Sequence, residues 1–151
     1  MTMATTWIFD DGGRAAAGFT GKTDDCVTRA IAIATGLPYQ QVYDDLNAKE
    51  RATSRRTVRR GSARTGINKD ISRAYLAALG WQWTPTMAIG QGCTVHLTGD
   101  QLPPGRLIVA VSKHLCAVIH GVIHDTHDPA RDGTRCVYGV WQAPDAPRWV
   151  R

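Results

Sequence analysis

One cysteine in this sequence is placed where it could act as a nucleophile. Cys26 follows Asp24 and Asp25 and opens an apolar segment, the pattern of a helix with a cysteine in its first turn. The unpaired backbone N–H groups of such a turn favour the thiolate, which is the reactive form of cysteine. The two carboxylates oppose the thiolate unless they point away from it or pair with Lys22 or Arg29. A partner base is therefore required.

Five histidines could supply that base, and position favours His114. It begins the apolar run Leu115–Ile119, a strand that would hold the imidazole on a rigid element. A two-residue turn at His120-Gly121 would fold the chain back as a hairpin and place Asp125 diagonally beside His114. A turn longer by one residue would bring Asp128 there instead. Either carboxylate could orient the imidazole, so both remain candidates.

The elements that must position these residues fall into two halves. Apolar periodicity predicts three helices, which begin near Thr23, at Pro38 and at Asn68, and the first and third end at glycines. Short β-type runs dominate from Trp81 onward, and Thr6–Phe9 could form one earlier strand. Helices followed by an antiparallel sheet, with the helices on one side of the sheet, define an α+β fold.

Size and composition fit one folded domain. The chain has 151 residues, and we expect its core over about 21–141, a flexible arginine-rich segment at 51–64 and a loose tail at 144–151. The longest apolar run is far too short to cross a bilayer, and the first residues lack the pattern of a secretory signal. We therefore expect a cytoplasmic protein that does not associate with membranes.

The four cysteines, at 26, 93, 116 and 136, are expected to be thiols, because a chain without an export signal would stay in a reducing compartment. No Cys-x-x-Cys pair indicates a zinc finger. Six potential metal ligands do fall within 15 residues: His114, Cys116, His120, His124, His127 and Asp128. The predicted hairpin sends His124 to the opposite face and His120 into the turn. We therefore expect no metal site and no cofactor.

The order of the motifs carries a resemblance. Thr23 to Cys26 opens the first helix, Gly36-Leu37-Pro38 precedes the second, and Gly105 to Val109 is followed by His114 with its strand and by Asp128-Pro129. Over about 21–141 this order resembles the papain-like peptidase domains that process double-glycine leader peptides. The resemblance implies a papain-like fold, a peptide or protein substrate, and Cys26, His114 and Asp128 as catalytic residues.

A second resemblance favours the other aspartate. The run from His114 to Val118, then Asp125-Thr126 and Tyr138-Gly139-x-Trp141, is similar to uncharacterised bacteriophage proteins. It implies Asp125 as the third residue and a phage-encoded effector that acts on a host protein.

One position departs from the papain-like pattern. Such enzymes usually place a glutamine about six residues before the cysteine, where its amide helps to stabilise the oxyanion. This chain has Thr20 there, so Thr20, Lys22 or a backbone amide would have to take its place. Val27 likewise replaces the glycine that often follows the cysteine.

The net charge of +5 supports an alternative function. The chain could be a basic module that binds nucleic acid or an acidic protein, on a papain-like scaffold that is weakly active or inactive. Trp81 and Trp83 could then stack on bases, although core packing explains them more simply. The candidate contacts for an acidic partner are Arg55, Arg56, Arg59 and Arg60.

Overall fold

A computed structural model describes residues 6–21, 23–53 and 60–150. The three helices are α1 (Cys26–Thr35), α2 (Tyr39–Ala52) and α3 (Lys69–Ala78). The strands are β1 (Thr6–Phe9), β2 (Gln82–Pro85), β3 (Arg106–Val111), β4 (His114–Ile119), β5 (Val122–Asp125) and β6 (Gly139–Gln142). The predicted α+β class and the three predicted helices are confirmed.

The six strands form one sheet in the order β1-β5-β4-β3-β6-β2. All neighbouring pairs are antiparallel except β1 with β5, which run parallel. The expectation of an antiparallel sheet is therefore wrong in this detail. The N-terminal strand joins the outer edge of the hairpin strand β5 and makes the sheet mixed.

The strands β3 and β4 lie at the centre of the sheet and are buried on both faces. Alternate residues point to two apolar clusters: Ile108 and Ala117 pack with the helices, whereas Val109 and Val118 pack with loops on the other face. The strand β4 packs against β3, β5 and α1, so its first residue, His114, sits on a rigid support.

The hairpin from β4 to β5 has the predicted two-residue turn. Ile119 pairs with Val122 across it, and His120 and Gly121 have φ angles of 48° and 80°. Positive φ at both central residues is what a type I′ turn requires. The register predicted from the sequence is confirmed, and it brings the end of β5 alongside the start of β4.

The expectation of four thiols is wrong for two cysteines. Cys93 and Cys136 form a disulfide with their Cα atoms 5.7 Å apart, while Cys26 and Cys116 are free. These partners are 43 residues apart in the sequence, so only the tertiary fold brings them together.

The C-terminal segment is not a loose tail in residues 144–150. The side chain of Gln142, which is buried, donates a hydrogen bond to the Pro147 carbonyl and accepts one from the Trp149 N–H, at 3.1 and 2.9 Å. Trp149 also packs against the apolar cluster on the face opposite the helices. The segment is therefore bound to β6.

The arginine-rich segment is described only in part. Arg51 lies in the last turn of α2 rather than in a loop, because the helix continues to Ala52. Arg55, Arg56 and Arg59 lie outside the described residues. In the part of the chain that is described, no helix combines the length and apolar character needed to span a membrane.

Candidate active site

Cys26 lies at the N-terminus of α1 and lines a groove with a volume of about 1300 Å³. The first amides of a helix have no acceptor one turn earlier. The side chain of the N-cap residue Asp25 does not cap them. The positive end of the helix therefore faces the thiol and favours its ionised form.

His114 lies between Cys26 and Asp125. Its Nε2 is 2.6 Å from Oδ2 of Asp125, and the imidazole is close enough to the Cys26 thiol to lower the pKa of that thiol. Since Nε2 contacts the carboxylate, Nδ1 is the nitrogen available to the sulfur. Cys26, His114 and Asp125 thus form one connected set, as the register of the hairpin predicted.

The electrostatics of the set favour a thiolate beside an imidazolium. Burial raises the pKa of the Cys26 thiol, but the hydrogen bond and charge of His114, with the Leu115 N–H, lower that pKa by more. Burial lowers the pKa of His114, but Asp125 and Cys26 raise it to about 9. Near neutral pH the proton therefore resides on the imidazole.

Arg29 connects the set to a second buried carboxylate. One guanidinium nitrogen donates to Asp25, and the other lies 3.2 Å from Oδ1 of Asp125. Of the ways in which the sequence left Asp25 compatible with a thiolate, the structure therefore has the pairing with Arg29. Burial raises the pKa of Asp125, but His114, the Thr126 N–H and Arg29 lower it by more.

Asp25 is itself fully satisfied, with only 1% of its surface exposed. It accepts hydrogen bonds from the Tyr39 hydroxyl at 2.6 Å and the Thr23 hydroxyl at 3.0 Å, and Arg14 lies 3.1 Å away. These contacts hold the start of α1 on both sides. Sequence reasoning missed the roles of Arg14 and Tyr39, because both depend on how the N-terminal segment packs on α2.

The structure does not bring two other predicted residues into the set. Asp128 accepts a hydrogen bond from the Ala130 N–H at 3.0 Å, and among the described residues none joins it to His114. Its carboxylate caps a turn instead. Thr20 is exposed, its carbonyl accepts a hydrogen bond from Arg64, and it does not line the groove. Lys22 lies outside the described residues. Among the candidates that the structure does describe, the backbone N–H groups of α1 remain for an oxyanion site.

The potential metal ligands converge only in part. His114 and His127 meet at Asp125, with ligand atoms within 4.8 Å of one another. The chemistry of this group does not favour a cation, because His114 and Asp125 are hydrogen-bonded to each other and Arg29 contacts the same carboxylate. Of the others, His124 contacts Asp10 at 3.0 Å, as expected for the opposite face.

The walls of the groove contain residues that the sequence did not single out. Trp83, predicted as core, packs against Trp141 at 5.3 Å between ring centroids and also lines the groove. Arg73 lies over the Trp83 ring, 5.5 Å from its centroid. Lys69 stands one turn before Arg73 on α3, and this spacing of four residues was the signal available in the sequence.

Comparisons of the chain with protein-family models, with curated proteins and with solved structures found no match. Any assignment of function therefore follows from the residues of the site.

Proposed function

We propose that this chain is a papain-like cysteine hydrolase that cleaves amide bonds in peptides or proteins. The observation that supports this function is the connected set of Cys26, His114 and Asp125 at the edge of a large groove. Nucleophile, base and orienting carboxylate come from α1, β4 and β5, three elements that pack on one another.

The first half of the reaction follows from the protonation state of the pair. The Cys26 thiolate attacks the carbonyl carbon of the substrate, and the carbonyl electrons move onto oxygen. The imidazolium of His114 then gives its proton to the leaving amine as the C–N bond breaks. The products of this half are a free amine and a thioester on Cys26.

In the second half, water hydrolyses the thioester. Neutral His114 removes a proton from the water, whose oxygen attacks the thioester carbon, and the C–S bond then breaks. The carboxylic acid leaves, and the proton on the imidazole regenerates the ion pair with the Cys26 thiolate. An amine in place of water would give acyl transfer through the same steps.

Two further features suit this chemistry. Asp125 fixes the tautomer and orientation of His114, and Arg29 holds Asp125 in turn. The first amides of α1 lie beside the nucleophile and have no side-chain cap, so they could donate hydrogen bonds to an oxyanion formed there. The alternative of a basic binding module rests chiefly on arginines outside the described residues.

Selective alkylation tests the proposal. Near neutral pH, iodoacetamide should modify Cys26 much faster than Cys116, because Cys116 is 1% exposed and burial raises its thiol pKa. His114→Ala should slow the reaction of Cys26 by about tenfold or more. Intact-mass spectrometry followed by peptide mapping measures both rates.

A matched control is His124→Ala, which removes an imidazole that contacts Asp10 and not the site. It should leave the Cys26 rate unchanged. If His114→Ala leaves that rate unchanged while the fold is retained, the proposed hydrolase is refuted.

A further inference from the structure

The groove that contains Cys26 carries an excess of positive charge. Among its described lining residues, Asp24 is the one carboxylate, whereas five cationic side chains line it: Arg14, Arg29, Lys69, Arg73 and Lys113. Two of these, Arg14 and Arg29, are already paired with buried aspartates. The remaining three have no ion pair among the described residues, and all three are exposed.

These three cations come from two elements that line the same groove as the nucleophile. Lys69 and Arg73 lie one turn apart on α3. Lys113 directly precedes His114 and has a φ of 55°, in the turn between β3 and β4. Exposed cations without an ion-pair partner in a groove attract anionic ligands and repel cationic ones.

The anionic ligand that suits this groove is a peptide with carboxylate side chains rather than a nucleic acid. The thiolate of Cys26 suits attack on an acyl carbon rather than on a phosphodiester. Trp83 is not an open platform for bases, because Arg73 lies over its ring and Trp141 packs against it.

We propose that the groove selects peptide segments with acidic side chains next to the scissile amide, through Lys69, Arg73 and Lys113. This inference rests on the proposed hydrolase function and names its substrate class. An extended acidic segment would place carboxylates against α3 and against the turn before His114. Its apolar side chains would contact the Trp83 and Met87 wall.

A pair of alkylating reagents tests the inference without a known substrate. Iodoacetate is anionic and iodoacetamide is neutral, and with both the Cys26 sulfur forms a C–S bond as iodide leaves. The ratio of the two rates therefore cancels the thiolate fraction and reports the electrostatic field. We expect the iodoacetate rate divided by the iodoacetamide rate to be at least about threefold higher for Cys26 than for the neutral thiol N-acetylcysteinamide. This ratio should fall with added salt.

Variants distinguish the effect of the groove cations on this ratio from the effect of the His114 imidazolium, which attracts iodoacetate in all of them. The double variant Lys69→Ala/Arg73→Ala should lower the ratio by about threefold, and Lys113→Ala by about twofold. Arg148→Ala, an exposed cation outside the groove, should leave it unchanged. Melting temperatures of all variants should stay close to that of the wild type, because the side chains are exposed.

Protection of Cys26 from iodoacetamide supplies a second measurement. Hexaglutamate should protect and hexalysine should not. A reagent ratio that is unchanged in the variants, or protection by a single-stranded oligonucleotide but not by hexaglutamate, would overturn the acidic-peptide inference and leave the hydrolase standing. Failure of Cys26 to react with either reagent would overturn both.

Discussion

Replacing Asp125 with asparagine removes the charge that holds the proton on His114 and keeps a side chain of similar shape. The carboxylate is buried and contacts His114 through one oxygen and Arg29 and the Thr126 N–H through the other. The substitution should therefore act on the imidazole first and on the packing of the site second.

The size of the effect follows from the pKa of His114. Its rise from 6.5 to about 9 corresponds to roughly 3 kcal/mol in favour of the imidazolium, and Asp125 shares it with Cys26. If Asp125 and Cys26 contribute equally, Asp125 accounts for about 1–2 kcal/mol of this stabilisation. At pH values where Cys26 is only partly ionised, Asp125→Asn should therefore reduce its thiolate fraction by about tenfold.

The sign of the pH dependence is fixed by the same shift. Because the pKa of His114 is raised, its contribution to stability is complete below pH 6.5 and is lost as the pH rises through about 9. Hydrolysis should decline over the same upper range, as the general acid is lost. In Asp125→Asn both changes should move to lower pH.

The assay is the iodoacetamide rate at Cys26 from about pH 5 to about pH 9, followed by intact mass, with the pH of half-maximal rate as readout. Asp128→Asn is the matched control, because its carboxylate contacts the Ala130 N–H and not His114. An Asp125→Asn profile that superimposes on the wild type, or an equal shift in Asp128→Asn, would refute the role given to Asp125.

Three further substitutions test the supports of the site. Arg29→Ala leaves two buried carboxylates without their shared cation, so urea titration should show that the free energy of unfolding falls by about 3 kcal/mol. This loss should become smaller as the pH falls through the lowered pKa values of Asp25 and Asp125, and a loss below about 1 kcal/mol would contradict the prediction. Gly139→Ala would place a Cβ 2.1 Å from the Trp83 ring and should cost about 1–3 kcal/mol, with a change in tryptophan fluorescence that unaltered spectra would disprove. Cys93→Ser opens a link across 43 residues and should cost about 2–4 kcal/mol, measured by thermal unfolding against Cys116→Ser; equal melting temperatures for wild type and Cys93→Ser would disprove it.

The sequence was sufficient for the parts of the site that depend on local rules. Cys26 begins α1 because acidic residues and an apolar run mark a helix start, and the His120-Gly121 turn sets the register that brings Asp125 to His114. The choice between Asp125 and Asp128 needed only the length of that turn.

The rest depends on contacts between distant segments. Arg29 reaches Asp125 across 96 residues, and the disulfide partners have no local signal that pairs them. The parallel pairing of β1 with β5 could not be predicted either, because the sequence of a short strand does not specify which strand it pairs with. Thr20 occupies the expected sequence position yet lies outside the groove, so spacing alone could not identify the oxyanion donors.

The disulfide requires Cys93 and Cys136 to be oxidised, whereas the proposed nucleophile Cys26 must be reduced. The bond joins the loop before β3 to the segment before β6, and the Cys136 sulfur lies 3.7 Å from that of Met87, which lines the groove. Cys26, by contrast, must stay reduced to be a nucleophile, and a thiolate in an open groove is readily oxidised. We therefore expect strong reductant to loosen this wall of the groove while it preserves the nucleophile, and oxidant to do the reverse. If the proposed function is right, activity should be limited to a range of redox potential with both a lower and an upper bound.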